Sequence, residues 1–156
     1  MTPAPAAAAK NTKNAMGNNN QRIGLSQKAI IFREDGRFLT IRRSKTAPSR
    51  PLHWDLPGGD LDFGEDVKEG MIREIKEETG LRVNDLRVID AISGFNDIHE
   101  FWVTIYYIAQ PITKDVILSY EHDDFKWVLP DEFQELKASP RNKKFVERFK
   151  FLRTQK

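Results

Sequence analysis

Three glutamates, Glu74, Glu77 and Glu78, stand within the six residues "REIKEE" from Arg73 to Glu78. On a helix, at about 100° per residue, Glu78 lies about 40° and Glu77 about 60° around the axis from Glu74. Carboxylates so placed repel one another by roughly a few tenths of a kcal/mol per pair. A solvated helix face accounts for the neighbouring unlike charges, since Glu69 and Arg73 are four apart, as are Arg73 and Glu77. It does not account for three carboxylates on one side. That side requires a positive charge, and a hard divalent cation is the species that oxygen ligands suit.

The wider charge pattern agrees. Residues 59–81 hold eight acids (Asp60, Asp62, Glu65, Asp66, Glu69, Glu74, Glu77 and Glu78) against three bases, inside a chain of net charge +2. The last twenty residues carry eight bases against the single acid Glu147. An acidic centre with basic surroundings suits a metal ion beneath an anionic ligand. It equally suits a basic tail with no ligand at all.

The elements that must hold these residues can be read in turn. The chain has 156 residues, 39% hydrophobic and 31% charged, which fits one ordinary domain. There is no cysteine, which excludes a disulfide framework, a thiolate metal site and a cysteine nucleophile, and is compatible with the cytoplasm. No apolar run approaches the roughly 20 residues of a membrane span. The modest net charge argues against bulk nucleic-acid binding. Residues 1–22, rich in Ala, Asn and Pro, read as a tail, and residues 23–156 as a single domain.

"QKAIIFREDGRFLTIRR" reads as a hairpin turning at Asp35-Gly36. "HWDLPGG" is a short apolar piece stopped by Pro57 and two glycines. From Glu65 to Thr79 the period is helical, with Val67, Met71 and Ile75 as the apolar stripe and Ile72 beside it. Gly80 supplies the C-terminal stop. "LRVIDAIS", "EFWVTIYYIAQ" and "DFKWVLP" read as strands, "DEFQEL" as a short helix. Ser139-Pro140 caps a last helix whose Phe145, Phe149 and Leu152 share a core-facing side. The expectation is an α/β domain, a mixed sheet flanked by helices. The apolar face of the terminal helix, or the segment before Leu25, offers a homodimer surface.

"GGDLDFGEDVKEGMIREIKEETGL", residues 58–81, resembles the Nudix box, G-x5-E-x7-R-E-U-x-E-E-x-G-U with U aliphatic, at every defined position. Seven fixed identities at roughly 6% each make a chance match on the order of one in several hundred million per start. "WDLPGG" resembles the usual lead-in, and "EHDDFKWVLPDEF" the later loop, strand and short helix. The resemblance runs from about residue 25 to 136. It implies a Nudix-type α/β/α sandwich with a catalytic loop-helix-loop, and hydrolysis of a nucleoside diphosphate linked to another moiety, with Mg²⁺ or sometimes Mn²⁺.

The same resemblance implies roles. Glu74, Glu77 and Glu78 would be the principal metal ligands, joined by a main-chain carbonyl at Gly58 or Gly59, with Glu65 an outer ligand or orienting group. Arg73 would tie down the helix through a box glutamate, a structural role shared with Gly80. Glu74 is the first candidate for general base and Glu121, in "YEHDD", the second, ahead of Asp123 and Asp124. His122 is read as a surface residue. Gly70, one turn before Glu74, either leaves room near the metals or reflects drift.

Substrate contacts lie outside the box. Arg37, Arg42, Arg43, Lys45 and Arg50 offer phosphate contacts. Trp54, Phe95, Trp102 and Trp127 offer stacking surfaces, though such residues are more often core. The compact layout resembles small bacterial hydrolases of nucleoside diphosphate sugars, towards which the reading leans, or of (d)NTPs in the mutator-preventing branch. An RNA 5′ pyrophosphohydrolase and a non-catalytic nucleotide sensor remain as alternatives.

Overall fold

The computed structural model describes residues 21–155. The tail read at residues 1–22 therefore lies, up to residue 20, outside the described residues. In chain order the elements are β1 (Ile23–Ile31), β2 (Phe38–Arg43), β3 (Trp54–Asp55), β4 (Gly58–Asp60), α1 (Val67–Thr79), β5 (Val83–Phe95), β6 (Phe101–Pro111), β7 (His122–Val128), α2 (Pro130–Gln134) and α3 (Pro140–Thr154). They build the expected mixed α/β architecture with two sheets between helices. One sheet runs β4-β1-β6-β5 and the other β3-β2-β7.

The hairpin expected at Asp35-Gly36 forms only at its tip. Gly36 takes φ +81, Arg33 and Arg37 close the turn, and Phe32 bridges Phe38. Beyond that bridge β1 and β2 part into different sheets. The reason is that both edges of β1 are already taken. It pairs in parallel with β6 from Ile23↔Phe101 to Ile31↔Ala109 and antiparallel with β4. Parallel pairing with a strand some eighty residues away leaves no signal in local alternation. The two glycines after Pro57 likewise do not stop a strand but form one, β4.

Two apolar layers hold the sheets. Ile30, Phe38, Leu56, Tyr106, Phe133, Phe145 and Phe149 form one, against α3. Ala29, Ile31, Leu39, Ile41, Met71, Ile75 and Tyr107 form the other, against α1. Phe145 and Phe149 are buried as expected, but Leu152 is exposed. Ile72 is also exposed, one step around α1 from the stripe.

The box helix has defined ends. Asp66 caps its start, accepting from the amides of Lys68 and Glu69. Gly80 closes it at φ +71 and donates to the Lys76 carbonyl. The loop after β6 is sewn to this end, with the Ile117 amide on the Thr79 carbonyl and the Ser119 amide on the Glu78 carbonyl. Those bonds carry Glu121 towards the glutamates.

Candidate active site

The site forms where β4 passes the middle of α1. Gly58 has φ +146, and a Cβ there would stand 1.9 Å from the Gln27 carbonyl oxygen. Only glycine permits that approach. It aims the Gly58 amide at Glu78, whose Oε2 accepts from it at 3.1 Å. Gly59 makes room in the same way, since a Cβ there would be 2.9 Å from the Glu74 carboxyl carbon. The paired glycines thus let backbone lie directly against two box carboxylates.

Arg73 gathers the others. Its guanidinium donates to Glu65 Oε1 at 2.7 Å and Oε2 at 3.2 Å, to Glu77 Oε2 at 3.0 Å and to Glu74 Oε1 at 3.3 Å. The ion pair with Glu65 holds that carboxyl below its ordinary range. Gly70 has a definite part here. A Cβ on it would meet the Glu65 carboxyl carbon at 2.7 Å, so its bareness seats Glu65 over the helix.

The buried carboxylates behave differently. Glu78 is buried, and loss of hydration pushes its carboxyl up to about 8, against the pull of Lys28 and the Gly58 amide. Glu74 is raised too, first by burial, with Glu77 and Glu121 adding repulsion against Arg73. Glu121 is itself exposed, and its charge reaches Glu74 from the loop. Carboxyls raised by desolvation become anions when a cation is beside them, and the donor set is hard oxygen throughout. These residues fit a divalent ion. They are not a finished cage, since among the described residues no three acidic or imidazole side chains converge as metal ligands. Arg73 occupies oxygens of Glu65, Glu74 and Glu77 instead.

Beside the box lies a cleft of about 380 Å³. Its floor is one face of the first sheet, with Ser26 and Lys28 of β1, Thr104 and Tyr106 of β6, and Asp60 of β4. Trp54 and Asp55 form one wall and the α3 start (Ser139–Asn142) another. The mouth is flanked by the β2–β3 loop and the tip of the β5–β6 hairpin, joined by Arg50 and Asp97 at 3.1 Å.

Of the basic residues expected to contact phosphate, Arg43 and Arg50 line this cleft and Arg37, Arg42 and Lys45 do not. Arg37 is engaged with Glu132 at 2.8 Å, and Arg42 with Asp123 at 2.7 Å. Trp54, Phe95 and Trp102 line it, whereas Trp127 lies under Arg33. Asp124 caps the Phe125 amide.

Sequence reasoning missed the centre of the cleft. Asp55 is buried and accepts from Lys28 Nζ at 2.9 Å, Arg43, the Asn142 side chain and the Leu56 amide. Burial pushes its carboxyl up, but Lys28 outweighs that and holds it below the ordinary range. Lys28 in turn is raised by Asp55 and Glu78 despite its own burial. An acid between Trp54 and Leu56, and a lysine inside "QKAII", were the only signals, each a charge in an apolar run. The expectation for His122 is also corrected. It is 7% exposed, its Nδ1 has no partner, and burial pushes the imidazole down to about 4. The register shift between Arg42 and Arg43, where β2 meets His122, turns the ring inward.

The NUDIX domain model matches residues 24–149. A MutT-like protein of Streptomyces ambofaciens is 33% identical over 115 residues, covering 73% of this chain and 69% of that protein. Nucleoside triphosphatase NudI of Salmonella arizonae is 25% identical over 114 residues, covering 66% and 80%. The crystal structure of the MutT protein from Methanosarcina mazei superposes with a TM-score of 0.74 at 30% identity, covering 86% of this chain and 98% of that one.

Proposed function

Because the chain belongs to the NUDIX family of hydrolases, we propose that it is a Mg²⁺-dependent pyrophosphohydrolase of nucleoside triphosphates. The observation that carries the chemistry is the pair of desolvated carboxyls, Glu74 and Glu78, set against the glycines of β4. Glu74, Glu77 and Glu78, with Glu65 and a carbonyl of Gly58 or Gly59, would hold the metal. When bound, Mg²⁺, or Mn²⁺ in its place, neutralises the diphosphate and makes water more acidic.

Glu74 is the general base of this reading. Its raised pKa makes it a good proton acceptor, and its carboxyl lies against Gly59 of the box. A water oxygen forms the new bond to phosphorus, Glu74 takes the water proton, and the α–β anhydride bond breaks with pyrophosphate leaving. Glu121 tunes Glu74 through its charge. Arg73 positions Glu65, Glu74 and Glu77 and does not touch substrate. Lys28, between Asp55 and Glu78, and Arg43 supply positive charge towards the nucleotide.

The names of the relatives, a nucleoside triphosphatase among them, favour triphosphates over the nucleoside diphosphate sugars towards which the sequence leans. The sugar reading keeps one supporting observation. Asp60 and Asp97 line the cleft, and carboxylates accept from sugar hydroxyls while repelling phosphate. Among the described residues no helix is long and apolar enough to cross a membrane.

The test is product release from a panel of (d)NTPs, nucleoside diphosphate sugars and ADP-ribose, with Mg²⁺, with chelator, and with Glu78→Gln. Nucleoside monophosphate and pyrophosphate from triphosphates, lost with chelator and in the variant, is the expected result. Turnover confined to nucleotide sugars transfers the site to the second reading. Metal-independent turnover, or full activity in Glu78→Gln, overturns the site.

A further inference from the structure

Arg141 stands at the cleft wall on the first turn of α3. Every other arginine of the cleft has a carboxylate partner: Arg43 has Asp55 and Arg50 has Asp97. Arg141 has none among the described residues, and its NH1 donates to Thr104 Oγ1 at 3.2 Å. Its NH2 lies 3.5 Å from where a Cβ on Gly94 would be, which places the guanidinium over β5 beside the cleft floor. A guanidinium carries five N–H donors and no acceptor. Most of that capacity faces the cleft unspent.

Gly94 pairs with Trp102, and Trp102 stands two residues before Thr104 on the same face of β6. The Trp102 ring lies flat on β1 at Gly24, where a Cβ would come within 2.3 Å of the indole. Trp102 Nε1 donates to Glu100 Oε2 at 3.2 Å. The indole is therefore fixed before any ligand arrives, and a planar ligand stacked on it presents its edge towards Arg141.

Several groups that could read the opposite hydrogen-bond pattern are already engaged. The Asn142 amide donates to Asp55, and its oxygen accepts from the Tyr106 hydroxyl. The Asn96 amide is spent on Glu100, and its oxygen on the amides of Ile98 and Glu100. Of the cleft carboxylates, Asp97 is tied to Arg50 at the rim and Asp60 lies at the box end, paired across β4 and β1 with Ser26. Glu100 Oε2 accepts from both Trp102 Nε1 and the Asn96 amide, and the Arg141 guanidinium brings uncommitted donors to that side of the cleft.

We propose that Arg141 selects the nucleobase, donating to the keto oxygen of a base stacked on Trp102, so that guanine and uracil or thymine nucleotides are preferred over adenine and cytosine ones. An exocyclic amino group presented to Arg141 would meet N–H donors, and a guanidinium suits the O6/N7 edge of guanine in two-pronged fashion. Stacking on Trp102 contributes affinity to every base alike. The proposal rests on the nucleotide pyrophosphohydrolase reading above.

The experiment measures kcat/KM for GTP, UTP, ATP and CTP with the wild type, Arg141→Met, Arg141→Lys and Trp102→Ala. Equilibrium binding of GMP and AMP is measured alongside, in chelator, and thermal melts confirm that each variant is folded. The wild type is expected to favour GTP and UTP about tenfold or more over ATP and CTP. Arg141→Met should reduce that ratio to within about threefold by raising KM for the keto bases, with the rates for ATP little changed. Arg141→Lys should retain part of the preference, and Trp102→Ala should weaken all four alike. A wild type that favours ATP or CTP, a ratio untouched by Arg141→Met, or an equal loss for all four bases in that variant overturns the proposal. Should no triphosphate be cleaved, Arg141-dependent preference for GMP over AMP would uphold base selection while the hydrolase reading failed. Equal binding of the two would sink the proposal.

Discussion

Lys28 Nζ and Asp55 Oδ2 stand 2.9 Å apart between the box carboxylates and the nucleotide cleft, and both side chains are largely out of water. Lys28 also donates to the Leu56 carbonyl, and its charge reaches Glu78. Removing one partner of such a pair strands the other charge, which costs roughly 3–5 kcal/mol. Lys28→Met should therefore destabilise the fold by about that amount. Asp55→Ala should cost more, because the Asn142 amide and the Leu56 amide lose their acceptor as well. Urea unfolding of the two variants checks this; equal stability to wild type in either would show that the pair contributes nothing.

Glu78 links metal to stability. Its folded pKa, about 8, lies above the ordinary 4.5. A carboxyl raised in this direction contributes fully below the unfolded value and loses its contribution as pH rises towards the folded one. In chelator, stability should fall between about pH 4.5 and 8, and Glu78→Gln should remove much of that fall. The variant should then be more stable than wild type at pH 8, by on the order of a few kcal/mol, while being inactive. Mg²⁺ binding at pH 7 should release protons from wild type. Calorimetry in two buffers of different ionisation enthalpy measures that release, and a buffer-independent heat would refute it.

His122 acts with the opposite sign. Its pKa is lowered from 6.5 to about 4, mainly by burial. The unfolded chain then binds the proton that the folded one refuses, so stability is present above pH 6.5 and is lost as pH falls to about 4. The loss should reach up to about 3 kcal/mol, at 1.36 kcal/mol per pKa unit. His122→Gln should flatten the acid side of the stability profile. A profile identical to wild type would mean that the ring is hydrated.

Gly70→Ala separates stability from activity. Alanine favours the interior of α1 by about 1 kcal/mol. Its methyl group would displace the flexible end of Glu65, whose carboxyl carbon is 2.7 Å from the Cβ position. The melting temperature should hold or rise, while Glu65 leaves Arg73 and metal affinity drops severalfold. Unchanged Mg²⁺ affinity and kcat would show that Glu65 need not sit where it does.

The box was legible because its requirements are local. The spacing from Glu65 to Gly80 encodes one capped helix, and a helix fixes which carboxylates share a side whatever surrounds it. The α/β class was legible for a similar reason, since strand and helix periods are written in adjacent residues. The partition of β1 and β2 into separate sheets was not, because it depends on β6, a partner far along the chain. Nor was the cleft. Asp55 gathers Lys28, Arg43 and Asn142 from three other elements, and Arg141 reaches Thr104 only because α3 returns over the first sheet. His122 stands among charged residues in "YEHDDF", yet the fold buries it. Local periodicity determines which groups share a helix or strand face. Which faces are brought together, and therefore which charges are desolvated and which remain in water, is decided by long-range packing alone.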